Sequence, residues 1–535
     1  MSESAGYPTP RSHRPLIMGR RGAVGSNHPM ATQAGLDILR AGGNAADAAV
    51  AVSLVLGVCE PGMSGLGGDG FAHFTDAAGR GDVYNGCGPA PQAASPERFA
   101  AGIEVFGPRS VSVPGCLAGI AALHAAHGSL AWPQLVAPAI ALARDGFAAT
   151  YTFLHFASSQ QAQLGADRRS AATFLGKRLG DLVLQPDLAR TLEEIAADGA
   201  ETFYRGRLAA RLAQGMAEAG ALVTAADLAA LQAEVQAPIG ITYRGYEIRQ
   251  TGPNSTGFTM LQMLKIAERF DLAKLSPAAR IHVLVEAKKR AFLDRESFGS
   301  DPRFRAVPLE RLLSDAHADE LAGQIDLHRA GSTQPVSEAA AGDTTYFCVV
   351  DGAGNSVSAI QSINSGFGSG VTAGDTGVLL NNRMAYWHLA PDHANRLQPG
   401  KRVRHTMNAP VVLKDGKLVA VLGTPGADNQ VQVNLQVVTA MLDLGCDPQT
   451  AVEVPRWTSS QSGQGANWPH DGDASLTIER DVGTEVLADL ERRGHQLKPV
   501  GHLEGPCSMQ VIRLLDNGVR MAGSDPRRDG WAGAF

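Results

Sequence analysis

Apolar positions recur at helical spacing from about Pro29 to Arg40, and Gly42-Gly43 closes that run as glycine does just past a helix C-terminus. Asn44 then caps a second helix, with Asp47 three residues on favouring its N-terminus. From Ala45 to about Val58 this second helix is almost entirely Ala, Val and Leu, so it is expected to be buried nearly all round. Strands are expected around Phe71–Phe74 and Asp82–Tyr84. The stretch from about Leu117 to Ala330 reads mainly helical, with amphipathic segments such as Leu188–Ala197 and Ile281–Phe292. From Thr345 the period shortens to alternating strands and turns. Tyr346–Val350 and Ser356–Ile360 flank Asp351-Gly352-Ala353-Gly354-Asn355, a hairpin signal, and further strands are expected at Val378–Leu380, Pro410–Leu413 and Leu418–Leu422. Helices and strands in such long separate runs imply a layered α+β architecture rather than βαβ alternation.

A chain of 535 residues can bury a large core, and length alone suggests about three domains. The net charge of −6 is mild and no Lys/Arg stripe stands out, so nucleic acid is not an expected partner. Six cysteines are scattered without a Cys-x-x-Cys pair, which argues against a zinc site or a disulfide framework. Met1 to Gly22 is polar and Arg-rich, contains Pro8 and Pro15, and lacks the apolar core of a secretory signal. The longest apolar run, Ala45 to Cys59, contains Asp47 and is shorter than the ~20 residues a spanning helix needs. A cytoplasmic location without membrane attachment is the expectation. No Walker-type motif or H-E-x-x-H occurs, and neither a metal nor a cofactor is expected.

Gly65-Leu66-Gly67-Gly68-Asp69-Gly70 matches the dinucleotide pattern G-x-G-x-x-G. That motif works between a strand and a helix, where the helix N-terminus meets the pyrophosphate. Here a helix and Pro61 come first and a strand-like segment follows, so a tight glycine-lined turn near a pocket is the better reading. A nicotinamide enzyme is correspondingly disfavoured.

Thr344-Thr345 opens the first hairpin strand, and threonine favours strands for reasons unrelated to chemistry. The surrounding sequence changes its meaning. Gly342-Asp343-Thr344-Thr345-Tyr346-Phe347, then Gly354-Asn355-Ser356-Val357-Ser358 and Ser362-Ile363-Asn364-Ser365-Gly366, resembles the signature of the γ-glutamyltransferases. Ser26-Asn27-His28-Pro29, Gly65–Gly70, Val113-Pro114-Gly115, Glu286-Ala287, Leu379-Leu380-Asn381-Asn382, Gly423-Thr424-Pro425-Gly426 and Ser524-Asp525-Pro526-Arg527 follow in family order. The resemblance implies a four-layer αββα sandwich of the N-terminal-nucleophile hydrolase type. It also implies a precursor cut between Asp343 and Thr344 into a large region, 1–343, and a small region, 344–535, that stay associated.

The same resemblance gives Thr344 as nucleophile, with its freed α-amine, of reference pKa ~8, as base. It gives the backbone N–H groups of Gly426 and Ala427 as the oxyanion hole, Ser362 as support for the nucleophile and Asn364 as a substrate contact. Ala427 departs from a pair of glycines common in the family, and a positive φ there would strain alanine.

The glutamate clamp departs further. Tyr84–Pro91 holds no cation to grip an α-carboxylate, and Asn381-Asn382-Arg383-Met384-Ala385-Tyr386-Trp387 holds no acid for an α-ammonium. A Ser-Ser pair is replaced by His405-Thr406. Each lost charge-assisted hydrogen bond is worth ~1.5–3 kcal/mol. The resemblance therefore points to branches such as oxamate amidohydrolases and cephalosporin acylases, which take a small carboxylate-bearing amide and pass its acyl group to water or an amine. Candidate substrate contacts are Asn364, Tyr386, His405, Thr406, Arg109 and Arg404, the last two reading equally well, like Arg402, as structural charges. A conventional glutathione hydrolase and an unprocessed ligand-binding pseudoenzyme are the alternatives.

Overall fold

The computed structural model describes residues 12–332, 343–463, 465–470 and 473–535, without the side chain of Asp343. Half of the Met1–Gly22 stretch and Gly342 of the family-like run lie outside the described residues.

Two seven-stranded sheets form the centre. One runs, in order, Trp531–Ala534, Ala23–Ser26, Asp343–Val350, Ser356–Asn364, Asp69–Thr75, Val83–Gly86 and Glu234–Gln236. The other runs Ile17–Gly19, Arg520–Ser524, Gln510–Leu514, Lys417–Gly423, Val411–Lys414, Tyr246–Gln250 and Ile239–Tyr243. Phe71, Tyr346, Cys348, Ile360, Met407, Val421 and Ile512 interdigitate between the sheets. The outer face of the first sheet is covered by helices Pro29–Arg40, Ala45–Cys59 and Cys116–His127, through a core that includes Val52, Phe347 and Val349. Helices Gly257–Ala267, Pro277–Phe298 and Asn429–Leu442 cover the second through Leu261, Leu284, Val433 and Leu422. The result is the expected αββα sandwich, built around one pair of sheets rather than three domains.

Local chemistry sets these elements. Pro29 begins its helix where no backbone donor is needed, and Gly42 turns away from it at φ 94°. The Asn44 side chain accepts from the N–H groups of Ala46 and Asp47, while Asp47 accepts from the Asn44 N–H, a capping box. The buried helix it starts supports the sheet that carries Thr344.

The stretch 117–330 is mainly helical but also contributes strands, Glu234–Gln236 among them. Ile239–Tyr243 and Tyr246–Gln250 form a hairpin at the edge of the second sheet, turned by Arg244 and Gly245, both at positive φ. Val378–Leu380, expected as a strand, makes only isolated bridges, Thr372 with Leu379 and Gly67 with Leu380. Left-handed Gly374 and Gly377 bend the chain just before it. No helix among the described residues is long and apolar enough to cross a membrane.

Candidate active site

Thr344 lies at the start of an inner strand, with Ser356–Asn364 on one side. The register slips there: Thr345 faces Gln361 but Asp343 faces Asn364. This bulge aims Thr344 at the Ser362 side chain, and bulges re-aim side chains in this way. The Thr344 hydroxyl donates to Ser362 Oγ at 3.3 Å, and the Asn364 N–H donates to the same oxygen at 2.8 Å. Thr344 is 2% exposed and Ser362 and Asn364 are fully buried. Asn364 adopts φ 82°, a conformation asparagine tolerates better than most residues. Its Nδ2 donates to the Asn382 carbonyl and to Asn467 Oδ1, which fixes its amide orientation and leaves Oδ1 without a partner among the described residues. Asn27 donates to Thr345 Oγ1 at 3.3 Å and accepts from Gln510, linking the start of this strand to both sheets.

Gly426 and Ala427 form the turn between strand Lys417–Gly423 and helix Asn429–Leu442. Gly426 has φ 120° and Ala427 φ 48°, so the positive φ anticipated at Ala427 is present. The turn sits near the strand that carries Thr344. Tyr346, two residues from Thr344, packs its ring so closely on Gly423 that a Cβ there would collide with it. Tyr346 is thus a packing residue, its hydroxyl 2.7 Å from Ser358 Oγ. Asp428, the next residue, pairs with Arg295 of helix Pro277–Phe298; Arg295 also pairs with Glu296, and Glu296 with Arg404 at 2.7 Å. This chain of buried charges ties the turn to the outer helix layer.

Asp69 stands opposite Ser362 in the next strand, so its side chain shares the inter-sheet face with Ser362. Its carboxylate accepts from Arg383 Nε at 3.0 Å and the Gly88 N–H at 2.9 Å. His405 Nδ1 accepts the Met407 N–H, so its Nε2 carries the proton and faces Asp69 Oδ2 at 3.4 Å. Burial, reinforced by Arg383, pushes the His405 pKa down to about 4, so the ring is neutral at pH 7. Burial alone would raise Asp69, but the bonds from His405 and Arg383 hold it below the ordinary carboxylate value. The Arg383 guanidinium stacks 4.5 Å over the Tyr386 ring, and Tyr386 Oη lies 3.4 Å from Thr406 Oγ1. Burial raises the Tyr386 phenol, with Arg383 opposing, so it stays protonated.

The structure thus gathers Thr344, Ser362 and Asn364 directly, and His405, Thr406 and Tyr386 onto one adjoining wall. Arg109 and Arg404 are held elsewhere. Arg109 is on the surface, 42% exposed, bonded to the Arg98 carbonyl and 3.4 Å from Glu104. Arg404 is buried against Glu296, and Arg402 is bonded to the Cys87 carbonyl and Glu234. The sequence reading missed Asp69, Arg383 and Asn467. Arg383 stood inside the Asn381–Trp387 run but was weighed only for the acid that run lacks.

Two sets of three potential metal ligands occur among the described residues, His282/Glu286/His495 and Glu296/His388/His393, and neither includes Thr344. Both carboxylates are already paired with cations, Glu286 with Lys289 and Arg290, Glu296 with Arg295 and Arg404. His393 Nδ1 accepts the Asn395 N–H, which leaves the proton on the Nε2 that would have to coordinate.

Paired antiparallel sheets between helical layers, with a threonine at the head of an inner strand, define the N-terminal-nucleophile hydrolase fold. The family model described as gamma-glutamyltranspeptidase matches residues 31–535, and the chain belongs to that family. It is 37% identical over 529 residues to the glutathione hydrolase-like YwrD proenzyme of Bacillus subtilis, covering 96% of this chain and 99% of that one. It is 34% identical to the oxamate amidohydrolase proenzyme of Klebsiella pneumoniae subsp. pneumoniae, over 95% of this chain and 97% of the relative. The crystal structure of cephalosporin acylase from Bacillus halodurans superposes with a TM-score of 0.89 at 32% identity, covering 100% and 99% of the two chains.

Proposed function

We propose that this chain is a self-processing amidohydrolase in which Thr344 first cuts the Asp343–Thr344 bond and then attacks a small carboxylate-bearing amide. In the first reaction the Thr344 hydroxyl adds to the carbonyl of residue 343. Its proton passes to the departing amide nitrogen, and water hydrolyses the resulting ester. Thr344 then carries both a hydroxyl and a free amine. The amine takes the hydroxyl proton as Oγ1 attacks the substrate and delivers it to the leaving amine; water completes the cycle by releasing the acid. In this reading the N–H groups of Gly426 and Ala427 receive the oxyanion, each such donor being worth ~3–4 kcal/mol. Ser362 orients the nucleophile, and Asn364, His405, Thr406 and Tyr386 face the acyl group.

The observation that carries this reading is the re-aimed Thr344 hydroxyl, buried and hydrogen-bonded to Ser362 beside an amide oxygen with no partner among the described residues. The proenzyme names of the relatives support processing, and the oxamate amidohydrolase and cephalosporin acylase names support an amide other than a γ-glutamyl one. The 37% identity to a glutathione hydrolase-like protein favours γ-glutamyl hydrolysis as the second reading. Against it, Asp69 on the acyl wall is already matched by Arg383, so it offers no free charge to an α-ammonium.

Glutaryl- and γ-glutamyl-p-nitroanilide differ only by that ammonium and separate the two readings. With oxamyl and succinyl homologues alongside, the best ammonium-free acid is expected to exceed γ-glutamyl by about 10-fold or more in kcat/KM, one charge-assisted bond being worth ~1.5–3 kcal/mol. A γ-glutamyl preference of that size would establish the second reading instead. No turnover of any amide by mature protein would leave a ligand-binding protein.

A further inference from the structure

Resting on the Thr344 reading, we propose that Arg383 is the residue that selects the substrate, by donating its outer Nη2 to an anionic oxygen at the far end of the acyl group. The class of substrate is then an amide whose acyl chain ends in a carboxylate or an isosteric anion.

Arg383 is 1% exposed. Its Nε is committed to Asp69, its face to the Tyr386 ring, and its backbone N–H to Asn381 Oδ1. Nη2 has no hydrogen-bond partner among the described residues. A buried guanidinium donor left unmatched is expensive, which is why such groups are usually found bonded. Position makes the orphan informative. Arg383 is anchored on Asp69, which shares a face with Ser362, the residue that holds Thr344 Oγ1. Arg383 also follows Asn382, whose carbonyl fixes Asn364. Another buried orphan is Asn364 Oδ1, an acceptor. Among the described residues, Arg383 Nη2 and Asn364 Oδ1 are thus unbonded groups on residues tied through Asp69 and Asn382 to the Thr344–Ser362 pair.

Arg383 is ion-paired like the other arginines considered, but through Nε alone, which leaves Nη2 unbonded among the described residues; Arg404 is held by Glu296, Arg402 by Glu234 and the Cys87 carbonyl, and Arg109 by Glu104 and the Arg98 carbonyl. His405 is neutral. Asp69 fixes the guanidinium plane through Nε and leaves Nη2 unbonded among the described residues. That arrangement favours an arginine over a lysine, whose ammonium has no planar fork to be oriented.

The test uses mature protein and pairs of anilides sharing one leaving group and one acyl length, ending either in carboxylate or in methyl. Processing is checked in every variant by the mass of the fragment that begins at Thr344. In the unaltered protein the carboxylate member is expected to lead by about 10–100-fold in kcat/KM, the range of a charge-assisted bond. In Arg383→Gln that ratio should fall by at least 10-fold, chiefly through KM, and Arg383→Lys should restore part of it. Loss of both substrates in equal proportion would make Arg383 a structural residue and overturn the proposal while leaving Thr344 as nucleophile. Should Arg383→Gln fail to mature, the unaltered protein decides. The free acyl acid should inhibit it at least 10-fold more tightly than its uncharged primary amide, and equal inhibition would overturn the proposal.

Discussion

Ala427 occupies a conformation that alanine avoids. At φ 48° its Cβ crowds the backbone at about 1 kcal/mol or more, yet the chain keeps it there beside Gly426. The turn is held because Gly426 packs against Cys507, where a Cβ would collide with the sulfur, and because Asp428 is clamped by Arg295. If the backbone N–H is what the site uses, the side chain is incidental. Ala427→Gly is then expected to mature normally, with stability unchanged or raised by up to ~1 kcal/mol as strain relief is offset by a freer unfolded chain. Ala427→Val should abolish both maturation and turnover, because a β-branched residue resists positive φ. Denaturant midpoints and the small-fragment band measure both; a glycine variant as damaged as the valine one would assign the role to the methyl group. This strain was legible in the sequence, since alanine stood where glycine is usual. Arg383 was not, because a charged residue in a sequence carries no sign of whether it is buried or which acid it meets.

Among the elements, the glycine-rich turn 65–70 acts through close backbone approach. A Cβ on Gly67 would collide with the Leu379 carbonyl, and one on Gly68 with the carbonyl oxygen of Ser362 itself. The turn thereby presses Asp69 into place opposite Ser362. Gly68→Ala is expected to displace the Ser362 strand and slow appearance of the mature fragment at least 10-fold, backbone collisions being costly to relax; maturation at the normal rate would show that this contact yields. The tight, glycine-lined character of this turn was legible from its context, a helix before it and a strand after it. The opening helices were legible because proline, glycine and a capping asparagine punctuate them. The 239–250 hairpin was hidden although its Ile-Thr-Tyr and Tyr-Glu-Ile runs alternate as strands do. It is short, and helices stand on both sides of it. The sheet that needs it as an edge is assembled from strands far away in sequence.

At the scale of the molecule, the regions on either side of Thr344 cannot be separated into domains. Strand Asp343–Val350 is hydrogen-bonded to Ala23–Ser26, and Ser356–Asn364 to Asp69–Thr75, so upstream and downstream strands alternate in one sheet. The second sheet mixes them as well, with Tyr246–Gln250 beside Val411–Lys414. A cut at Thr344 would leave this ladder and the apolar core between the sheets intact, so the two pieces are expected to stay together until denatured. Catalysis by Thr344 requires that it become an N-terminal residue. Intact mass and N-terminal sequencing of the purified protein, after denaturing separation, test that most directly. The expected result is a fragment spanning 344–535 that begins Thr344-Thr345-Tyr346-Phe347, absent from Thr344→Ala. A single uncut chain that still hydrolyses amides, or a fragment starting at another residue, would contradict the account.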